Sequence, residues 1–471
     1  GMIEGRAGPD QGYVAGRRSS LDPHLNALRT EEHPIPDYYF YDVNARYVSD
    51  RGGGRTTFSW YRGKDDVGLV ADTYTAFDLG WGNDVLMLRH ARDLSEKLDV
   101  EATLSRSRYE ALTDASIFAT PFEVTNELQD VTLHGALHYR VSEAHRLSWG
   151  LLGSWYDFLY QQTFNLSPGI DYRSKPTEIA TYLEDRWVPN DVTAVRAGVR
   201  VRHISDGDRL YAEPRLSISH RIRPDLRLKL GGGVYNQYLQ LVTTEGFSAG
   251  DFYLPIDESA DPGRSWQAVI GAEWNASEHD LLSLEIYNND QENLVEFDNR
   301  TAVDQNTFTA ENIFVTGGTG YARGAEFFYR RQKDKFTGWL GYTLGDTERQ
   351  FDELNAGDPY PPKYARRHDI NALVGYEAGK WSLSASFRYA TGQAFTPASG
   401  RYQVQDPSTG ETLTDGQILP GARNSGRLAS YHRLDVSARR PIGIFGQPAE
   451  LVLEIFNLYN RRNEWFVQYD T

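Results

Sequence analysis

The chain has no cysteine and only two methionines in 471 residues. Without thiols there is no disulfide framework, no thiolate metal site and no cysteine nucleophile. It also lacks any run approaching the roughly 18 to 20 apolar residues of a membrane helix, and its mean hydropathy lies below zero. That excludes helical spans and nothing more, because a membrane β-barrel turns only alternate residues to lipid and reads as hydrophilic on any average. Positive charge is in deficit: 49 Lys and Arg against 65 Asp and Glu leave a net charge of -16. Such a balance argues against a nucleic-acid partner, which calls for a basic patch. No secretory leader is legible at Gly1, and GMIEGRAG reads as the middle of a strand, so the natural start is expected upstream.

What the chain does have is glycine, tyrosine and tryptophan, at 43, 29 and 10 residues, set in an apolar/polar alternation of period two. In residues 429–460, Leu434, Val436 and Ala438 alternate with Arg433, Asp435, Ser437 and Arg439. After a turn containing Gly and Pro, Leu451, Leu453 and Ile455 resume around Glu454. This is the period of a strand with one oily and one wet face. The pattern recurs in Leu98, Val100, Ala102 and Leu104, in Val195, Ala197, Val199 and Val201, and in Trp381, Leu383, Ala385, Phe387 and Tyr389. A helix with charges at the intervening positions would carry no apolar stripe. LDPHLNALR at 21–29 is the exception and reads as a short helix in a loop, starting near Ser20 or Asp22.

Tight turns fall near residues 10, 52, 95, 143, 189, 224, 278, 334, 379 and 444, which predicts about twenty strands. Longer polar loops lie between them, the longest near 110–126, 240–263, 299–318, 350–365 and 391–428. Short turns on one side and long loops on the other is the asymmetry of a transmembrane barrel of the outer membrane. A soluble propeller repeats at a similar length, but its strands run only ~4 to 6 residues. The prediction is therefore an all-β fold: one large antiparallel up-and-down barrel domain over residues 1–471.

In such a barrel the Leu, Val, Ala and Phe series faces lipid, with Trp60, Trp155, Trp274, Trp381 and Tyr389 near strand ends as interfacial girdles. Arg196, Arg200, Glu273, Glu285, Glu326, Arg388 and Glu454 face a wet lumen.

EPRLSISHRI at 213–222, GGGVYNQY at 231–238, GYARGAEFFYRR at 320–331, GWLGYTLG at 338–345, RRHDINALVGY at 366–376, FRYATGQAFTP at 387–397 and IFNLYNRRN at 455–463 resemble, in order, the barrel motifs of TonB-dependent receptors. The resemblance implies a Gram-negative outer-membrane transporter of twenty-two strands enclosing an N-terminal plug. It also implies uptake of a scarce ligand (a siderophore, another metal complex, a glycan or a peptide) driven by the inner-membrane TonB-type energy-transducing complex. The chain departs from that family in showing no plug, no energy-coupling box and no closing strand after Tyr469, Asp470 and Thr471. It is expected to be part of a longer receptor, lacking the plug, the first strand and the last strand. Ligand contacts are expected from aromatic and acidic residues of the long loops: Phe247, Asp251, Tyr253, Asp257, Tyr360 and Tyr402. A passive outer-membrane pore, or a surface-binding partner in an outer-membrane complex that holds a surface lipoprotein, stands as the alternative.

Sites for chemistry are sparse. There is no HExxH and no spacing that suggests zinc. The acidic groups Asp251, Asp257, Glu258 and Asp261, and Asp352, Glu353 and Asp358, lack EF-hand spacing and read as solvated loops. GGTG at 317–320 has no following helix and Lys to make a phosphate loop, and no serine sits in a nucleophile elbow. A hydrolase would need Ser beside one of His134, His138, His220 or His368, which read instead as lumenal hydrogen-bonding residues. No catalytic residue, metal site or cofactor is expected.

Overall fold

The structure is a computed structural model. It describes residues 1–30, 35–70, 76–117, 120–164, 167–242, 252–255, 261–297, 314–403, 408, 417–464 and 467. Tight hairpins form along the whole chain wherever alternating segments meet a turn signal. β1 (Met2–Ala7) and β2 (Asp10–Arg18) meet at Gly8 and Pro9. After a short helix, α1 (Asp22–Leu28), β3 (Asp37–Arg51) and β4 (Gly54–Val70) turn at Gly52 and Gly53, whose φ of 64° and 75° only glycine adopts cheaply. β5 (Ala76–Ser95) and β6 (Leu98–Ile117) follow, then β7 (Thr120–Arg140) and β8 (His145–Phe164).

β9 (Ser167–Ser174) and β10 (Thr177–Asn190) both pair with β8 and form one wall strand interrupted at Lys175 and Pro176. Proline cannot donate to the ladder, which accounts for the break. β11 (Thr193–Ile204), β12 (Arg209–Arg223) and β13 (Leu226–Gln237) continue the wall. A loop hairpin, β14 (Leu239–Val242) with β15 (Phe252–Pro255), precedes β16 (Gly263–Asn275) and β17 (Asp280–Phe297). β18 (Phe314–Lys333), β19 (Phe336–Gln350), β20 (His368–Ala378) and β21 (Trp381–Ala390) come next. The last long loop carries β22 (Ala394–Phe395) paired with β25 (Gly426–Arg427), and β23 (Ala398–Tyr402) paired with β24 (Gln417–Pro420). β26 (Tyr431–Ile444) and β27 (Gln447–Ile455) are the final hairpin.

Every wall pairing is antiparallel and joins neighbours in the chain, in one sheet of twenty-one segments. Because β9 and β10 share one strand, this makes twenty wall strands, and the ten predicted tight turns all fall between them. Among the described residues β1 pairs only with β2, and β27 only with β26.

Cross-strand partners share a face, so the register fixes what points where. Ile179, Gly153, Leu133, Leu104, Leu88, Phe58 and Tyr47 are direct partners in turn from β10 to β3. Leu230, Ile270, Ile286, Ala325 and Leu344 make a matching row from β13 to β19. Ile270, Ile286, Leu104 and Leu133 are each about half exposed, at 56%, 53%, 48% and 51%. A continuous apolar belt this open is a surface built for lipid. The five girdle aromatics share this face, and all seven charges predicted to face the lumen lie on the other.

Two loop expectations are corrected. Residues 110–117 and 120–126 continue β6 and β7, and β18 begins at Phe314, inside the loop expected at 299–318. β6 has 20 residues, about 65 Å at ~3.3 Å per residue, more than a hydrocarbon core of about 30 Å requires even with tilt. Above the lipid both faces are wet, so the hydropathic period vanishes while the ladder of hydrogen bonds continues.

Candidate functional site

A cavity of about 790 Å³ opens at the loop end of the lumen. Tyr156 and Phe158 of β8, Glu178 of β10, Arg202 of β11, Tyr235 of β13, Gln267 of β16 and Arg349 of β19 line it. Only a sheet that wraps round brings β8 and β19 to one cavity. The loop residues Tyr238, Pro255 and Tyr364 complete the lining, so the described parts of the β13–β16 and β19–β20 connections reach it.

Its floor is an ionic network on inward positions. Glu178, 8% exposed, accepts a hydrogen bond from Arg200 Nη2 at 2.7 Å on Oε1, the oxygen that Arg202 Nε approaches at 3.1 Å as an ion pair, and Tyr156 Oη donates to its Oε2 at 3.3 Å. Glu213, 1% exposed, accepts the backbone N–H and the side-chain Nδ2 of Asn236, both at 3.3 Å, and Arg215 Nη2 at 2.9 Å. Arg215 in turn lies 4.6 Å from the Tyr235 ring centroid. Buried carboxylates persist only when paired and hydrogen-bonded in this way.

The rim is a second network. Glu296, near the end of β17, holds Arg349 Nη1 at 3.0 Å and Arg423 Nη2 at 3.0 Å. Arg349 Nη2 also donates to Tyr364 Oη at 2.9 Å. Arg423 stands 5.6 Å from the Tyr360 ring, which stacks on Phe351. Val315, Phe351, Leu354 and Tyr360 form a small core under the rim. Asn424 Nδ2 donates to Pro361 O at 2.9 Å, and Arg427 Nη1 to Ala365 O at 3.0 Å and Gly392 O at 3.2 Å. The loop regions 351–367 and 417–430 are thereby clamped into one block. Burial and the nearby Arg388 pull the Arg366 guanidinium of this block below its usual pKa, and Arg366 Nη1 donates to Thr391 O at 3.2 Å.

Of the residues expected to touch ligand, Phe247, Asp251 and Asp257 lie outside the described residues. Tyr253 belongs to β15, whose Pro255 lines the cavity. Tyr360 is 2% exposed and props the rim from beneath. Tyr402 is 50% exposed on β23, in the last long loop. The cavity residues Tyr156, Glu178, Arg202, Tyr235 and Arg349 were not singled out from sequence as ligand contacts. Their signal was parity: each falls on the wet face near the loop end of its strand.

The histidines divide by the same parity. His134 and His138 face inward, where His134 meets Tyr182 Oη at 3.3 Å and His138 meets Ser148 Oγ at 2.9 Å. Asp99, the nearest cross-strand carboxylate to His138, is held by Arg146 at 2.7 Å and orients no triad. His220 and His368 face outward, contrary to the lumenal expectation, because they share the parity of Ile218 and Ile370 at strand ends. They bond Thr193 and Tyr342, each at 2.9 Å.

Comparison with known proteins agrees with this architecture. Residues 27–458 match the family model described as TonB dependent receptor-like, beta-barrel. No curated protein matches the sequence. Among solved structures, the siderophore receptor PiuA from Acinetobacter baumannii superposes with a TM-score of 0.66 at 13% identity, over 98% of this chain and 75% of that one. A mutant of the ferric enterobactin receptor PfeA from Pseudomonas aeruginosa gives 0.65 at 14%, over 98% and 72%. The copper transporter OprC gives 0.65 at 12%, over 97% and 70%. With its alternating wall, its one-sided long loops and a family match over nearly its whole length, the chain belongs to the TonB-dependent receptor-like β-barrel family and is a transporter barrel of the Gram-negative outer membrane, not an enzyme.

Proposed function

We propose that the chain forms the wall and mouth of a receptor that captures a scarce, anionic metal complex, a ferric siderophore first among the candidates, at the upper-lumen cavity. The observation that carries this reading is the convergence of guanidinium and phenol groups, Arg202, Arg349, Tyr156, Tyr235 and Tyr364, on one space of about 790 Å³. That volume suits a drug-sized ligand or a siderophore, and fixed cations beside aromatic faces favour a flat, negatively charged one. The siderophore receptors among the similar folds support the same ligand class, while the copper transporter keeps other metal complexes in view.

Uptake through so wide a barrel requires a gate. The gate is a plug domain encoded upstream in the full gene, through which the inner-membrane TonB-type complex supplies the energy. Phe247, Asp251, Tyr253, Asp257 and Tyr402 are loop contacts that meet the ligand before it reaches the cavity, and Tyr360 holds the rim in place. A surface lipoprotein lid is a further candidate partner, which co-purification tests.

The experiment is equilibrium binding of a panel of ferric siderophores to the full-length receptor in outer membranes, with planar-bilayer conductance alongside. Saturable binding without steady conductance supports the reading. Steady conductance with no binding would assign the barrel to passive pores.

A further inference from the structure

We infer that the inner wall of β10–β13 is a track for the anionic ligand, with a second holding site below the cavity, where arginines of β7, β8, β10 and β11 meet in one row. The inference rests on the anionic ligand proposed above.

In a chain of net charge -16, this sector has the opposite sign. The inward positions of β10–β13 carry nine Arg and Lys against Glu178, Glu184 and Glu213. With Glu273 and Glu285 of the flanking β16 and β17 counted, cations still outnumber carboxylates nine to five. They are also evenly spaced. Every second residue of β12 from Tyr211 to Arg221 marks an inward row, and every row holds a cation. Arg202 lies opposite Tyr211, Arg200 opposite Glu213, Arg215 opposite Gly198, Arg196 opposite Ser217, Lys229 opposite Ser219, and Arg227 opposite Arg221. Two residues of strand span about 7 Å, so the cations descend in steps of that length from the cavity to the β12–β13 turn.

Two further cavities open beside them. One of about 550 Å³ is lined by Arg196 and Arg215 with Glu184, and shares Tyr235, Gln267 and Asn289 with the upper cavity. The other, of about 420 Å³, is lined by Arg186, Arg196 and Lys229 with Glu285, and shares Arg196, Ser217 and Gly231 with the first. The three spaces therefore follow one another down the line of cations.

The register carries a cost that a bound anion would offset. Arg140, Arg146, Arg186 and Arg196 are direct cross-strand partners in turn, from β7 to β11, on the inward face. Like charges directly opposite one another destabilise a sheet. Asp99 meets Arg146 at 2.7 Å and Glu184 meets Arg196 at 3.2 Å, while Arg140 and Arg186 make no ion pair among the described residues. Higher up, Arg200 and Arg202 are both tied to the buried Glu178. Uncompensated positive charge thus grows toward the turns, which draws an anion out of the cavity. Passage along such a path uses several sites, each weak enough to leave.

The test uses full-length receptor purified from outer membranes, in planar bilayers under a KCl gradient, with urea raised until the lumen conducts. We expect the triple variant Arg140→Gln/Arg186→Gln/Arg196→Gln to lower the chloride-to-potassium permeability ratio roughly twofold or more, since lumen charges tune selectivity. Arg388→Gln/Arg433→Gln/Arg439→Gln, which removes three inward cations of β21 and β26, should change it far less. Equal shifts in both triples, or none in the first, would overturn the track, given heat-modifiable gel migration that shows an intact barrel. Should the first triple fail to fold, Arg186→Gln, which breaks no ion pair, is compared with Arg388→Gln in the same way. Steady conductance of the first triple without urea, where the wild type has none, would assign these cations to holding the plug and also overturn the track. With a ferric siderophore that binds the wild type, the first triple should keep its Kd and lose uptake several-fold; unchanged uptake would count against the holding site. A receptor that binds no ferric siderophore but keeps the contrast between the triples would refute the ligand and retain the anion track.

Discussion

Arg423 and Glu296, 127 residues apart in the chain, meet at 3.0 Å over the mouth of the barrel. The carboxylate also holds Arg349, and all three side chains are at most 19% exposed. Two cations therefore depend on one buried anion.

Glu296→Gln should release this clamp. Breaking a buried ion network by removing one member costs ~3–5 kcal/mol, here felt locally. Amides of residues 355–365 and 417–428 should exchange with deuterium roughly a hundredfold faster, while those of β6 and β7 stay unchanged. Uniform exchange in variant and wild type would mean that the loops are held by other contacts.

Face assignment can be tested with paired substitutions. Ile286→Arg puts a charge on the lipid belt and should cost ~2–4 kcal/mol of barrel stability, seen as loss of the heat-modifiable folded band. Thr343→Arg, beside Glu326 on the lumen face, should be nearly neutral. The reverse ranking would invert the barrel.

The turn between β12 and β13 carries a pH dependence. Trp274 Nε1–H donates to Asp225 Oδ2 at 2.9 Å, and this bond, followed by the backbone N–H of Asp225 itself and then by the nearby Arg223, holds the Asp225 carboxyl below its ordinary 3.8. A carboxylate with a depressed folded pKa stabilises the fold above its unfolded pKa and loses that contribution as pH falls through the folded value. The indole N–H resonance of Trp274 should therefore hold steady at neutral pH and move only below about pH 4. Arg223→Gln should raise that midpoint slightly, and a midpoint above 3.8 in the wild type would count against the hydrogen bond.

Much of this was legible in the sequence, because a lipid-facing strand writes its parity into every second residue. All ten tight turns, the helix at Asp22–Leu28 and the lumenal direction of Glu454 follow from that period and from Gly, Pro and Asp at the turns. Legibility ended where lipid ended. Glu110, Leu112 and Asp114 point outward as Leu104 does, yet with water on both faces nothing in their hydropathy marks a strand. The cavity was hidden for another reason. Glu178 and Arg202 share the β10–β11 hairpin, but Tyr235 and Arg349 come from two others, and neither spacing nor composition ties the three hairpins together before the sheet curls. Tyr360 shows the converse: an aromatic on a long loop reads as a ligand contact, and its burial depends on Phe351 and Arg423, the latter 63 residues further along.

The upper-lumen cavity is the centre of the account, and the absence of native cysteine makes one measurement direct. Single-cysteine variants of the full-length receptor at Gln267, on the cavity wall, and at Ile286, on the lipid belt, are labelled with a polar maleimide in outer membranes, with and without a saturating ferric siderophore that binds the wild type. The account predicts that Gln267→Cys labels and is protected by the ligand, and that Ile286→Cys stays unlabelled in both states. Labelling of Gln267→Cys that the bound ligand leaves unchanged would contradict it.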